Sequence, residues 1–175
     1  MHSVMCASAV TFPARFQLMA AMNPCPCGFK GHPTRECRCT PVQVAKYLSK
    51  ISGPLLDRID LHVWTDPVDV ESVLEGSPEE TSQSISAKVL EALSLQRNRG
   101  GFNSRIADQA IDTLCQLPRS GKSLLATAMR QYHLSMRGYK RVIKVARTIA
   151  DLEGANAIGE QHLAEALQYR PEFDP

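Results

Sequence analysis

The chain has 175 residues, 43% of them hydrophobic and 22% charged, and a formal net charge of +2. That composition suffices to bury one or two cores and excludes a compositionally disordered chain, while the small net charge confines any basic surface to a local patch. The opening MHSVMCASAV is too short and too interrupted for a secretory signal, and no apolar run approaches the eighteen or so residues that span a bilayer, so the expectation is a cytoplasmic protein with no membrane partner.

In chain order, residues 4–12 read as two short extended pieces around a small-residue turn. After Pro13 the run FQLMAAMN has the apolar continuity of a strand buried on both faces, which implies a covered, parallel sheet. Four cysteines follow as two Cys-x-Cys pairs, Cys25 with Cys27 and Cys37 with Cys39. Without a secretory signal, such clustering favours a metal over a disulfide framework. Cys6 and Cys115 stand apart in apolar contexts and read as buried thiols. Thr40-Pro41-Val42-Gln43 carries threonine, proline and glutamine at the N-cap, N1 and N3 positions, predicting a helix to about Ser49. Gly53-Pro54 breaks it, LLDR turns, and IDLHVW alternates toward a second strand that Asp66-Pro67 ends.

Beyond residue 76 the pattern is helical. Ser77-Pro78-Glu79-Glu80 reads as a capping box, and Ile85, Val89, Ala92 and Leu93 mark one face of a helix that Gly100-Gly101 stops. Further amphipathic helices fit 104–116, 120–132, 136–153 and 160–169. In the third of these, Val142, Val145, Ala146, Ile149 and Leu152 form the apolar face, with Lys140, Arg141, Lys144 and Arg147 largely off it as a solvated basic face. The expectation is an α/β fragment over residues 1–76 with a cysteine-rich insertion, then an all-α bundle over 77–175, mostly helical overall. Two main strands and one helix cannot cover a sheet, so the first part reads as the end of a larger α/β domain.

Four segments, VTFPARFQLMAAMNPCPCG, CRCTPVQVAKYLSKISGPLLDRIDLHV, LSMRGYKRVIKVARTIADLEG and HLAEALQYR, together resemble the C-terminal part of the magnesium-chelatase-like AAA+ ATPases of the ComM (YifB) type. The resemblance implies the end of an AAA+ P-loop core followed by a helical lid, with ATP and Mg²⁺ held between neighbouring subunits of a homo-hexameric ring that works on DNA in branch migration or transformation. It assigns three positions. Asn23, at the end of FQLMAAMN, matches sensor 1, where a carboxamide polarises the attacking water without carrying charge. Arg58 in GPLLDRIDL matches the arginine finger, whose guanidinium neutralises charge spread over the γ-phosphoryl oxygens. Arg137, just after a Ser135 N-cap, matches sensor 2 of the lid.

On the residues alone, Asn23 also suits a strand-to-loop turn and Arg58 an ion pair with Asp57 or Asp60. RSGKS at 119–123 mimics the end of a phosphate loop, but Gln116 stands where its first glycine belongs, and it reads as a helix start. The chain is therefore expected neither to bind ATP tightly nor to hydrolyse it unaided. Cys25, Cys27, Cys37 and Cys39 suit a closed Zn²⁺ site, with a reduced thiol loop or disulfide pairing as alternatives and His32 as a substitute ligand or a loop histidine. Two other functions compete: a magnesium-chelatase motor subunit and a stand-alone zinc-binding nucleic-acid adaptor.

Overall fold

The computed structural model describes residues 16–65, 67 and 80–170. The extended pieces expected at 4–12 and the division at residue 76 lie outside the described residues; of the Ser77 capping box only Glu80 is described, it is non-helical, and the helix is capped instead by Thr81, whose hydroxyl accepts from the Ser84 amide.

Helix α1, Pro41–Leu48, starts as its sequence dictates: the Thr40 hydroxyl accepts from the Gln43 amide and the Gln43 side chain accepts from the Thr40 amide. A single turn, α2 at Gly53–Leu56, leads into Asp57 and Arg58. The remaining helices are α3 at Ser82–Asn98, α4 at Ile111–Leu114, α5 at Arg119–Gln131, α6 at Met136–Leu152 and α7 at Glu160–Gln168. Where one helix was expected over 104–116, two 3₁₀ turns at Asn103–Arg105 and Asp108–Ala110 precede the short α4.

Helix α6 is the axis of this helical unit and packs against α3, α4 and α7, while α5 packs on α7. Val142, Ile143, Ala146, Ile149 and Ala150 of α6 are buried with Ile111, Leu125, Ile158 and Leu163 from around it. Full burial of a leucine such as Leu125 or Leu163 contributes about 1.5–3 kcal/mol. Gly154, at φ +70°, ends α6 in the left-handed conformation that glycine adopts freely. Two details of the sequence reading change. Leu152 is exposed, and Ile85 and Val89 of α3 lie exposed, because only the C-terminal half of α3, at Ala92 and Gln96, reaches the core.

Neither expected strand forms among the described residues. Phe16 to Asn23 is non-helical and exposed, with Phe16 at 79% and Met19 at 86%, and Leu61, Val63 and Trp64 are exposed as well. A ladder requires a neighbouring segment to exchange main-chain hydrogen bonds with, and no described residue supplies one to FQLMAAMN. Apolar continuity records what a segment is built to pack against, and here nothing described meets it.

Candidate functional site

The four clustered cysteines come together in space. Their sulfurs all lie within 4.8 Å of one another, with Cys25 to Cys27 at 3.4 Å, Cys25 to Cys37 at 3.7 Å and Cys27 to Cys37 at 3.6 Å. These separations far exceed a disulfide bond of about 2.05 Å, and every described cysteine is free. They approach the edge of roughly 3.8 Å that a tetrahedron of sulfurs has when each stands about 2.3 Å from a central zinc. Gly28, at φ +83°, makes the turn whose amide returns to the Cys25 carbonyl at 3.0 Å, and the Lys30 amide then donates to the Cys25 sulfur at 3.3 Å. Amides of Phe29 and Arg38 likewise favour the Cys27 thiolate and lower its pKa to about 6, while burial and the neighbouring sulfurs push Cys39 up to about 12. One-residue spacing thus still turns main-chain donors toward the sulfurs, and the donor set fits a thiophilic divalent ion. His32 is not part of the cluster. Its Nδ1 accepts from the Thr34 and Arg35 amides, both at 3.2 Å, and its ring meets Phe29 edge-on.

The second locus is a basic cleft of about 340 Å³ lined by Asp108, Met136, Arg137, Lys140, Arg141 and Lys144. Ser135 caps α6 by accepting from the Gly138 amide at 3.0 Å, which sets Arg137 in the first turn. Arg137 is exposed and makes no ion pair or hydrogen bond among the described residues. Lys140 pairs with Asp108 at 2.7 Å and, with Lys144 and Arg137 adding their fields, holds that carboxyl below its usual range. The helix N-terminus and the cationic lining together suit an anion.

Arg58 stands beside this cleft. Asp57 is taken by Arg170 at 3.0 Å and by the Ser135 hydroxyl at 2.8 Å, and Asp60 is taken by Arg141. Neither neighbouring carboxylate is therefore left for Arg58, whose exposed guanidinium donates, among the described residues, only to the Pro54 carbonyl at 2.6 Å. The local ion pair that was the competing reading of this residue does not form. Arg141, one turn after Arg137, also donates to the Arg58 carbonyl, so the helix that carries Arg137 also holds the Arg58 main chain. Asn23 is not brought to them. It is exposed at the start of the cysteine loop, its carboxamide 3.8 Å from where a Cβ on Gly28 would stand.

Three other residues fall where sequence reasoning did not place them or confirm its exclusions. Arg147, expected on a solvated face, is 3% exposed; it donates to the Ala155 and Asn156 carbonyls and pairs with Asp151 at 3.0 Å. RSGKS opens α5, and a Cβ at Gly121 would lie 2.7 Å from Leu163 Cδ1, so that glycine serves close helix packing. Cys115 is buried, which raises its thiol pKa.

A helical unit with a cationic cleft at one helix start, preceded by a tetracysteine loop, is the class of structure these elements define. The family model described as magnesium chelatase, subunit ChlI C-terminal, matches residues 79–170, and that described as magnesium chelatase, subunit ChlI, matches residues 3–73. The chain belongs to the magnesium chelatase subunit ChlI family. It is 42% identical over 164 residues to competence protein ComM of Haemophilus influenzae, covering 92% of this chain and 32% of that protein. It is 41% identical over 165 residues to protein YifB of Salmonella typhimurium and 38% identical over 165 residues to YifB of Escherichia coli, with the same coverage. The chain spans about a third of the length of these relatives.

Proposed function

We propose that this chain supplies the charge-sensing side chains of a ring-forming AAA+ ATPase whose nucleotide, ATP with Mg²⁺, is held by a module outside it. Arg58 is the arginine finger, Arg137 is sensor 2 and Asn23 is sensor 1. Residues 77–175 act as the lid and residues 1–76 complete the core with neighbouring subunits, as a homo-hexamer in the cytoplasm. The work driven is branch migration or remodelling of DNA, a reading drawn from similarity to a competence protein. Zinc is the metal of the tetracysteine loop, held by Cys25, Cys27, Cys37 and Cys39.

The observation that carries the reading is the state of Arg58. An arginine flanked by two aspartates is ordinarily neutralised by them, yet both are claimed by arginines of the helical unit, and among the described residues Arg58 is left exposed and without a carboxylate. Arg137 is exposed on the adjoining cleft in the same condition. Charge-charge attraction at such a site acts most strongly on the extra phosphoryl group of ATP. Arg137→Ala in the protein that includes the nucleotide module is expected to weaken discrimination of ATP from ADP about tenfold or more, measured by competitive nucleotide binding. Unchanged discrimination would remove Arg137 from the nucleotide site.

One observation favours the adaptor reading. Arg38, Lys46 and Lys50 line a groove with Tyr47 beside Cys27 and Cys39, an arrangement able to hold a phosphodiester strand. Salt-dependent binding of single-stranded DNA by this chain, abolished by reversing those charges, would support that reading.

A further inference from the structure

The turn that carries Arg58 is fastened to the helical unit across about eighty to one hundred and ten residues of sequence. Arg170 is 9% exposed and bonds Asp57 at 3.0 Å through one guanidinium nitrogen and the Ile59 carbonyl at 3.3 Å through another. The Ser135 hydroxyl, already capping α6, donates to the other Asp57 oxygen at 2.8 Å. Arg141 donates both to the Arg58 carbonyl and to Asp60. The His62 amide closes the set on the Tyr169 carbonyl at 2.9 Å.

These contacts differ in kind from a surface ion pair. A pair between exposed side chains holds little because both ends lose rotamer freedom and water screens them. Here Arg170 is buried, three main-chain carbonyls are engaged, and the Asp57 carboxylate lies at the N-terminus of α6, where the helix dipole favours it. A Cβ at Gly138 would stand 3.5 Å from both Asp57 Oδ1 and Arg170 Nη2, so the first turn of α6 is packed directly against the pair.

We propose that Arg141 and Arg170 are positioning residues that make the Arg58 turn ride on α6 and α7, so that movement of the helix bearing Arg137 is passed to Arg58. The proposal rests on the nucleotide reading of Arg58 and Arg137 and adds to it a mechanical link. Arg137 and Arg141 are one turn apart on a single rigid helix, and Arg141 grips the main chain of Arg58. A lid that shifts when a γ-phosphate is lost would withdraw or present the finger in the same motion.

Two measurements decide it. The first is amide hydrogen exchange in this chain, which does not depend on any nucleotide chemistry. Arg141→Ala is expected to speed exchange of the His62 amide about tenfold or more while amides within α6 and α7 keep their protection; an unchanged His62 rate overturns the tether. Arg170→Ala is expected to act in the same direction, and should it unfold the unit, Arg141→Ala carries the test alone.

The second is ATP turnover by the protein with its nucleotide module. Arg141→Ala is expected to lower kcat about tenfold with a smaller rise in KM for ATP, because Arg141 also lines the cleft, Arg141→Lys to recover part of the kcat loss, and Arg141→Ala added to Arg58→Ala to cause no further fall in kcat. Additive losses, or a wild-type kcat for Arg141→Ala alongside an impaired Arg58→Ala, overturn the proposal. Wild-type turnover by Arg58→Ala itself overturns the finger reading instead, and with it the functional half of the proposal, leaving the exchange result to judge the physical link.

Discussion

Removing metal from the tetracysteine loop is expected to unfold that loop and leave the helical unit intact. Residues 25–39 number fifteen, and of these only Cys25 is buried. Fixing the main chain of fifteen residues costs on the order of 15 kcal/mol at about 1 kcal/mol each. The loop has almost no apolar burial to offset this, whereas a structural zinc contributes about 10–16 kcal/mol of binding free energy. Metal binding is thus the largest single contribution available to the ordered loop, and the expectation is that the two are lost together. Elemental analysis of the purified chain should find one zinc per chain. After chelation, exchange of the Gly28, Lys30 and His32 amides should accelerate at least a hundredfold, while the thermal transition of the helical unit stays within a few degrees of its original value. A metal-free chain whose loop amides remain protected would refute the reasoning, because some other force would then be ordering the loop.

Asp151→Asn should destabilise the helical unit by about 3–5 kcal/mol, since it leaves Arg99 and the buried Arg147 without their shared carboxylate. At about 4–8 °C per kcal/mol the melting temperature should fall by roughly 12 °C or more, whereas Asp108→Asn, in an exposed pair, should leave it nearly unchanged. Burial works to raise the Asp151 carboxyl, but hydrogen bonds from Arg99 and Asn103 and the charge of Arg147 overcome it and lower the pKa below 3.8. Its contribution is therefore complete above the unfolded value and lost as pH falls through the folded one, so acid melts of the wild type should show a loss below about pH 4 that Asp151→Asn lacks. Gly121→Val should cost about 1–3 kcal/mol through collision with Leu163, measured by denaturant titration, while the exposed Lys122→Ala in the same RSGKS run should lie within about 0.5 kcal/mol of wild type.

Local signals proved legible and long-range pairings did not. The Thr40 capping box, the Ser135 cap and the helix over 136–153 follow from residues within one turn of each other, and the structure shows each of them. The gathering of Cys25, Cys27, Cys37 and Cys39 was legible from their spacing, though the Gly28 turn that aims amides at the sulfurs was visible only as a glycine beside them. Asp57 and Asp60 looked like partners for Arg58 because they are near in sequence. They were already taken by Arg170 and Arg141, whose proximity no periodicity encodes. Arg147 looked solvent-facing because its helix position follows three cations, but Asp151 one turn on and the Ala155 and Asn156 carbonyls past the helix end bury it, contacts that reading a basic face does not weigh. FQLMAAMN was read as a strand from apolar continuity and IDLHVW from alternation, signals that report a strand's environment and cannot supply the paired segment that makes it one.

The account depends on Arg58 acting on a nucleotide held elsewhere, and ATP turnover by Arg58→Ala in the protein with its nucleotide module tests this most directly. With assembly verified by sedimentation, kcat should fall about 10³-fold or more, the loss typical of a guanidinium withdrawn from a γ-phosphoryl transition state. An intact assembly that hydrolyses ATP at the wild-type rate would contradict it.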